Sequence, residues 1–174
     1  MAAPTESNDA LDVFLKLDGI KGESTDAAHE SWIEVLSYTL DVHQRHQGTG
    51  RPGSGPTGGS QTSASHLTIR KVTDAASAML FSHCVQGSPI RKARLEVCEP
   101  AGDKHVVGAV DMRQVRVLSY DDKGVADEHG APRPIEEIVL GYDKIEWEVT
   151  PIKHGGQSKA TVKRGWDLKT NLPT

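Results

Sequence analysis

Residues 11–42, LDVFLKLDGIKGESTDAAHESWIEVLSYTLDV, constrain the fold more tightly than any other part of the chain. They open on an alternating run in which Leu11, Val13, Leu15 and Leu17 share one parity and Asp12 and Lys16 the other. Successive side chains of a strand point to opposite faces, so this is a strand with one face on a core. Phe14 breaks the alternation and predicts that the second face is covered as well. A polar connection containing IKGES leads to a longer strand over residues 32–42. There Leu36, Tyr38, Leu40 and Val42 face one way, while Ser37, Thr39 and Asp41 face the other and meet water.

Most of the remaining chain also reads as strand. One strand is expected over residues 66–72, and Arg94, Leu95, Glu96 and Val97 alternate in another. Val115 and Val117 share a parity within residues 106–120. Residues 135–149 switch parity midway: Ile138, Leu140 and Tyr142 belong to one set, and Ile145, Trp147 and Val149 to the other. Such a switch marks a bulge or a bend, as a curled sheet requires. Trp147 and Trp166 are expected in the core or an interface. A single helix is predicted, with Thr73 or Asp74 as its cap and Ala76, Met79, Leu80 and Cys84 at helical spacing. Gly87 ends it and Pro89 prevents its continuation. Many strands around one helix predict a mainly β fold. It is a β-barrel or two-sheet sandwich with one short flanking α-helix and an extended Gly-rich loop.

At 174 residues, one domain over residues 11–174 is expected, with residues 1–10 as a flexible leader. The net charge of -4, with both signs interspersed, excludes the basic stripe of a nucleic-acid binder. Cys84 and Cys98 cannot make a disulfide framework and are expected as buried free thiols. The leader has neither a positive start nor an apolar run, so it is not a secretory signal. No window approaches the roughly 20 apolar residues that cross a bilayer. A protein made in the cytoplasm, without membrane insertion, is expected.

Residues 47–65, QGTGRPGSGPTGGSQTSAS, form a low-complexity insertion that cannot bury enough apolar surface to order itself. It contains two GxGxxG matches, Gly48-Gly50-Gly53 and Gly53-Gly55-Gly58, with Gly59 beside them. A dinucleotide site needs that turn to open a helix, whereas here Pro52 and Pro56 interrupt it. The eight histidines are scattered. His43 and His46 lead into the loop, and nothing near His83 and Cys84 completes a zinc set. Surface or edge histidines, and no metal or cofactor, are expected. Asp121-Asp122 and Glu136-Glu137 read as solvated acids at strand ends, whereas a catalytic pair needs one desolvated member. No nucleophile signature is present, so the chain is not expected to be an enzyme. A monomeric small β-barrel binding a sugar or peptide remains the alternative.

Ile20-Lys21-Gly22-Glu23-Ser24, then His29, then Trp32-Ile33-Glu34-Val35, resembles the opening of the hemolysin-coregulated protein (Hcp) family, which builds the inner tube of the bacterial type VI secretion system. Gly87-Ser88-Pro89-Ile90, Ala93-Arg94-Leu95-Glu96-Val97 and Gly165-Trp166-Asp167-Leu168 with Asn171 extend the resemblance nearly end to end. The chain departs from the family in its longer leader and in Asp41, where many members carry a small residue. The resemblance implies homohexameric rings that stack into a tube and leave the cell through the type VI machine without a signal peptide. It also implies sheath, spike and effector proteins as partners. Thr39 matches a small polar position facing the channel, which makes Ser37, Thr39 and Asp41 the expected cargo-facing residues. Gly48, Gly50, Gly53, Gly55, Gly58 and Gly59 are then expected to contact the adjoining ring.

Overall fold

A computed structural model describes residues 11–45, 61–100, 105–126, 133–151 and 160–174. The leader and the six loop glycines lie outside the described residues. Ten strands and one helix follow in the order β1 (Asp12–Leu17), β2 (Ile33–Val35), β3 (Ser37–Arg45), β4 (Gln61–Val72), α1 (Ser77–Gln86), β5 (Ile90–Cys98), β6 (Val106–Ala126), β7 (Pro134–Gly141), β8 (Lys144–Val149), β9 (Val162–Asp167) and β10 (Leu172–Pro173).

The pairing closes on itself. β1 pairs with β2 and β5, β5 with β6, β6 with β7, β7 with β4, and β4 with β3, all antiparallel. β3 continues β2 through Leu36, whose amide donates to the Arg70 carbonyl at 2.8 Å and seals the seam. The result is a barrel. β6 holds it together: Gly108–Arg113 pair with β8, and Arg116–Ala126 pair with β7. Between these halves Gln114 takes a φ of 52°, a left-handed corner that turns the strand from one sheet to the next. β8, β9 and β10 extend from β6 as a flap beyond the barrel.

The core is aliphatic. Leu15, Ile33, Leu67, Ile69, Leu80, Leu95, Val115, Ile138 and Leu140 are wholly buried. At about 1.5–3 kcal/mol per buried aliphatic side chain, such a cluster supplies the main stabilisation that offsets chain entropy. The expected alternations of β1, β5, β6 and β7 all point into it. Asp74 precedes the helix, as expected, but as a turn residue. Its Oδ1 accepts from the Ala76 amide at 2.9 Å, and Ala76 occupies the cap position. Gly87 closes the helix with a φ of 64°, where any side chain would be strained.

Three expectations about the strands need correction. The strand over residues 32–42 is two strands, β2 and β3, belonging to different sheets. The parity switch within residues 135–149 is likewise a sheet change: Tyr142 and Asp143 separate β7 from β8. β4 starts at Gln61, so the last residues of the low-complexity segment are strand. There Gln61, Thr62 and Ser63 pair with Arg45, Gln44 and His43, because backbone pairing asks nothing of side-chain polarity. Trp147, expected in the core or an interface, is 56% exposed on the single chain, and Val149 38%. Their parity is that of the inner face, but β8 stands where the sheet has run past the barrel.

Candidate functional site

Ser37, Thr39 and Asp41 are all exposed. The register places them in three polar rows across the outer face of the second sheet. Ser37 lies opposite Arg70, which faces Glu137 and then Asp121. Thr39 lies opposite Thr68, followed by Val139 and Ser119. Asp41 lies opposite His66, followed by Gly141 and Arg116. The opposite parity of β4 and β7 (Leu67, Ile69, Ile138, Leu140) is core, which fixes the polar rows outward. Ser119 donates to Asp121 at 2.8 Å, and Lys123 to Glu137 at 2.9 Å. The face therefore mixes hydroxyls with both signs of charge. Arg70, Thr68 and His66 belong to this face but went unnoticed in the sequence, because only the register of β4 brings them beside β3.

The outer face of the first sheet is charged. Lys16, Lys92, Arg94, Asp111, Arg113 and Glu146 line a shallow groove of about 370 Å³. Arg94 reaches Glu96 at 2.5 Å and Asp111 at 2.6 Å, and Lys163 reaches Glu146 at 2.7 Å. Its carboxylates are engaged in ion pairs.

Glu136 was expected in solvent and is instead wholly buried. Its Oε2 accepts from Lys71 Nζ at 2.9 Å and Ser77 Oγ at 2.9 Å, and its Oε1 from the Tyr120 hydroxyl at 2.7 Å. Burial pushes the carboxyl up, but the bonds from Lys71, Tyr120 and Ser77 outweigh it and hold the group below the usual carboxylate range. Burial, with the bond to Glu136, drives the Tyr120 phenol in turn well above its ordinary value. Ser77 Oγ lies 3.0 Å from Lys71 Nζ, the spacing of a serine–lysine nucleophile pair. Catalysis does not follow. Lys71 is fully enclosed, Ser77 is 7% exposed, and the ammonium also binds Asp74 at 2.8 Å. The network joins helix α1 to β4 and β7.

The IKGES connection and His29 form a knot on the other side of β1. Gly22 donates to the Ser31 carbonyl at 2.9 Å and Ser24 to that of Trp32 at 3.0 Å. A Cβ on Gly22 would lie 2.3 Å from the Trp32 oxygen, so only glycine fits. His29, expected at a surface or edge, is 2% exposed. Its ring stacks on Phe14 at 4.1 Å, which answers why Phe14 broke the alternation of β1. The His83 ring, beside Cys84 in the sequence, bonds Ser88 Oγ at 2.8 Å.

The described residues build an antiparallel barrel whose outer faces are polar and charged. Residues 14–149 match the family model described as "Type VI secretion system effector, Hcp". The chain belongs to the Hcp family of type VI secretion tube proteins. A relative named Protein hcp1, from Pseudomonas aeruginosa, is 27% identical over 165 residues, covering 94% of this chain and 98% of that protein. A solved structure described as that of a type six secretion system protein has a TM-score of 0.81 at 35% identity, covering 95% of this chain and 100% of that one. Hcp1 from Salmonella typhimurium has a TM-score of 0.73 at 28% identity, over 95% of this chain and 99% of that one. Among the described residues, no helix is long and apolar enough to cross a membrane.

Proposed function

We propose that this chain is a structural subunit of a type VI secretion inner tube. Six copies close into a ring, rings stack, and effector proteins ride in the lumen. The observation that carries this reading is a pair of exposed apolar surfaces on opposite sides of the barrel. One lies on the flap, where Trp147, Val149 and Val162 share a face and are 56, 38 and 52% exposed. The other lies at the β2–β3 seam, where Leu36, Tyr38 and Val42 are 47, 38 and 63% exposed. Around the circuit β1, β5, β6, β7, β4, β3, the flap leaves from β6 and the seam lies diametrically across. Two different patches on opposite sides suit a head-to-tail contact, which closes into a ring when the rotation per subunit allows.

The polar rows around Ser37, Thr39 and Asp41 are then the lumen face, with Asp41 and His66 repeated around the ring as charge and hydrogen-bonding groups for cargo. The loop glycines Gly48, Gly50, Gly53, Gly55, Gly58 and Gly59 contact the next ring. Sheath and spike proteins are the remaining partners. The subunit is made in the cytoplasm and leaves through the type VI machine without a signal peptide. Its work is assembly and transport, with no catalytic step. Thr39→Gln tests the lumen assignment: the ring should persist while the set of co-purifying effectors changes. Unchanged cargo on an intact ring would place Thr39 elsewhere.

A further inference from the structure

We propose that His29, Glu96 and Cys98 form a binding site for one borderline-soft divalent cation, zinc by preference. No spacing in the sequence joins these residues; the fold brings them together. Glu96 and Cys98 are two apart on β5, so both point to the outer face of the first sheet, away from the core residues Leu95 and Val97. The IKGES connection folds back over that face and lowers His29 between them. Nε2 of His29 lies 2.8 Å from Glu96 Oε2 and 3.9 Å from Cys98 Sγ. One ligand atom from each of the three lies within 4.8 Å of the others.

A tetrahedral zinc ion holds nitrogen and oxygen at about 2.0–2.2 Å and sulfur at about 2.3 Å, which sets its ligand atoms roughly 3.3–3.7 Å apart. The observed separations bracket that range, so small side-chain rotations would admit the ion. The supporting groups are already in position. Asp26 Oδ1 binds the other ring nitrogen, Nδ1, at 2.6 Å; such a carboxylate fixes the tautomer and aim of a metal-bound imidazole. Arg94 takes the far oxygen of Glu96 at 2.5 Å and leaves Oε2 turned to the cluster. Phe14 stacked on the ring at 4.1 Å and Trp32 edge-on at 4.9 Å restrict its rotation.

The donor set decides the class of ion. A thiolate, an imidazole and one carboxylate suit zinc, or cobalt(II) as its spectroscopic stand-in, and not calcium or magnesium, which take oxygen ligands. Cys98 is wholly buried and His29 nearly so, while the Glu96 side chain is 13% exposed and marks the side of entry. Binding exchanges the proton of the Cys98 thiol for the ion, so one proton is released to solvent as the ion enters. The consequence is mechanical: an ion here ties the IKGES connection to β5.

The test uses the untagged full-length protein, reduced and stripped with chelator, titrated with cobalt(II) under nitrogen. One equivalent should produce a sulfur-to-cobalt charge-transfer band in the near ultraviolet with visible d–d bands, and zinc should bleach both. Cys98→Ser should abolish the charge-transfer band with an unchanged far-UV spectrum. Glu96→Gln should weaken binding at least tenfold, while Cys84→Ser should behave as the parent. Absence of the band in the folded parent protein would overturn the site. So would a band that survives Cys98→Ser or is lost in Cys84→Ser.

Discussion

Lys71 Nζ lies 2.9 Å from Glu136 Oε2, with both side chains wholly enclosed. A buried pair is stable only when every remaining polar atom is satisfied. Here Ser77, Tyr120, Asp74 and the Val72 carbonyl complete the set. Lys71→Met strands the carboxylate and should lower stability by about 3–5 kcal/mol, whereas Lys71→Met with Glu136→Leu should recover most of it. Denaturant titration of the three proteins decides the matter; equal stability of parent and single variant would contradict the network.

The same pair sets an acid response. Glu136 is held below its ordinary value of 4.5 in the folded protein, so its contribution is fully present above that pH and fades as pH falls through the lower folded value. The stability gap between the parent and Glu136→Gln should therefore be constant from pH 7 to about 5 and shrink below 4.5. A gap that widens on acidification would contradict this sign.

Gly22 tests the knot. A Cβ there meets the Trp32 carbonyl oxygen at 2.3 Å and the Ile33 Cα at 2.6 Å, both backbone atoms that cannot rotate away. Gly22→Ala should cost about 1–3 kcal/mol, and Gly22→Val more. Thermal melts indistinguishable from the parent would show that the connection yields.

The alternation of β1 and of β5 was legible because each buries one face, and Phe14 correctly signalled cover on the other. Where β2 passes to β3, the apolar spacing runs through Leu36 without glycine or proline, so nothing local announces a change of sheet. The parity flip between Tyr142 and Ile145 did announce one, but a bend inside one strand leaves the same mark. Trp147 shows a further limit: parity tells which face a residue takes, not whether the partner layer extends that far. Glu136 and His29 were misplaced because their partners, Lys71 and Glu96, lie 65 and 67 positions away. Polar burial is written in tertiary contacts rather than in local pattern.

Trp147→Ser and Tyr38→Ser probe the two apolar surfaces. As exposed positions, each should change the folding stability of the isolated chain by about 0.5 kcal/mol or less, yet each should prevent ring closure. Mixing the two variants should restore one good contact per pair and yield dimers but no rings, as measured by sedimentation. Full rings from either variant alone would mean that the patch lies outside the subunit contact.

Deleting residues 48–59 should leave the far-UV spectrum and melting transition intact, since the segment offers no apolar side chain to a core and loop length costs little. Stacks of rings should shorten or vanish in electron micrographs. Loss of the fold would make the loop structural; undiminished stacks would remove it from the ring-to-ring contact.

The central claim is assembly, and the mass of the purified protein in solution tests it most directly. Light scattering behind size exclusion, at micromolar concentration, should give about six times the 18.8 kDa chain mass. A stable species at 18.8 kDa would contradict the ring and leave the two exposed apolar surfaces without a partner.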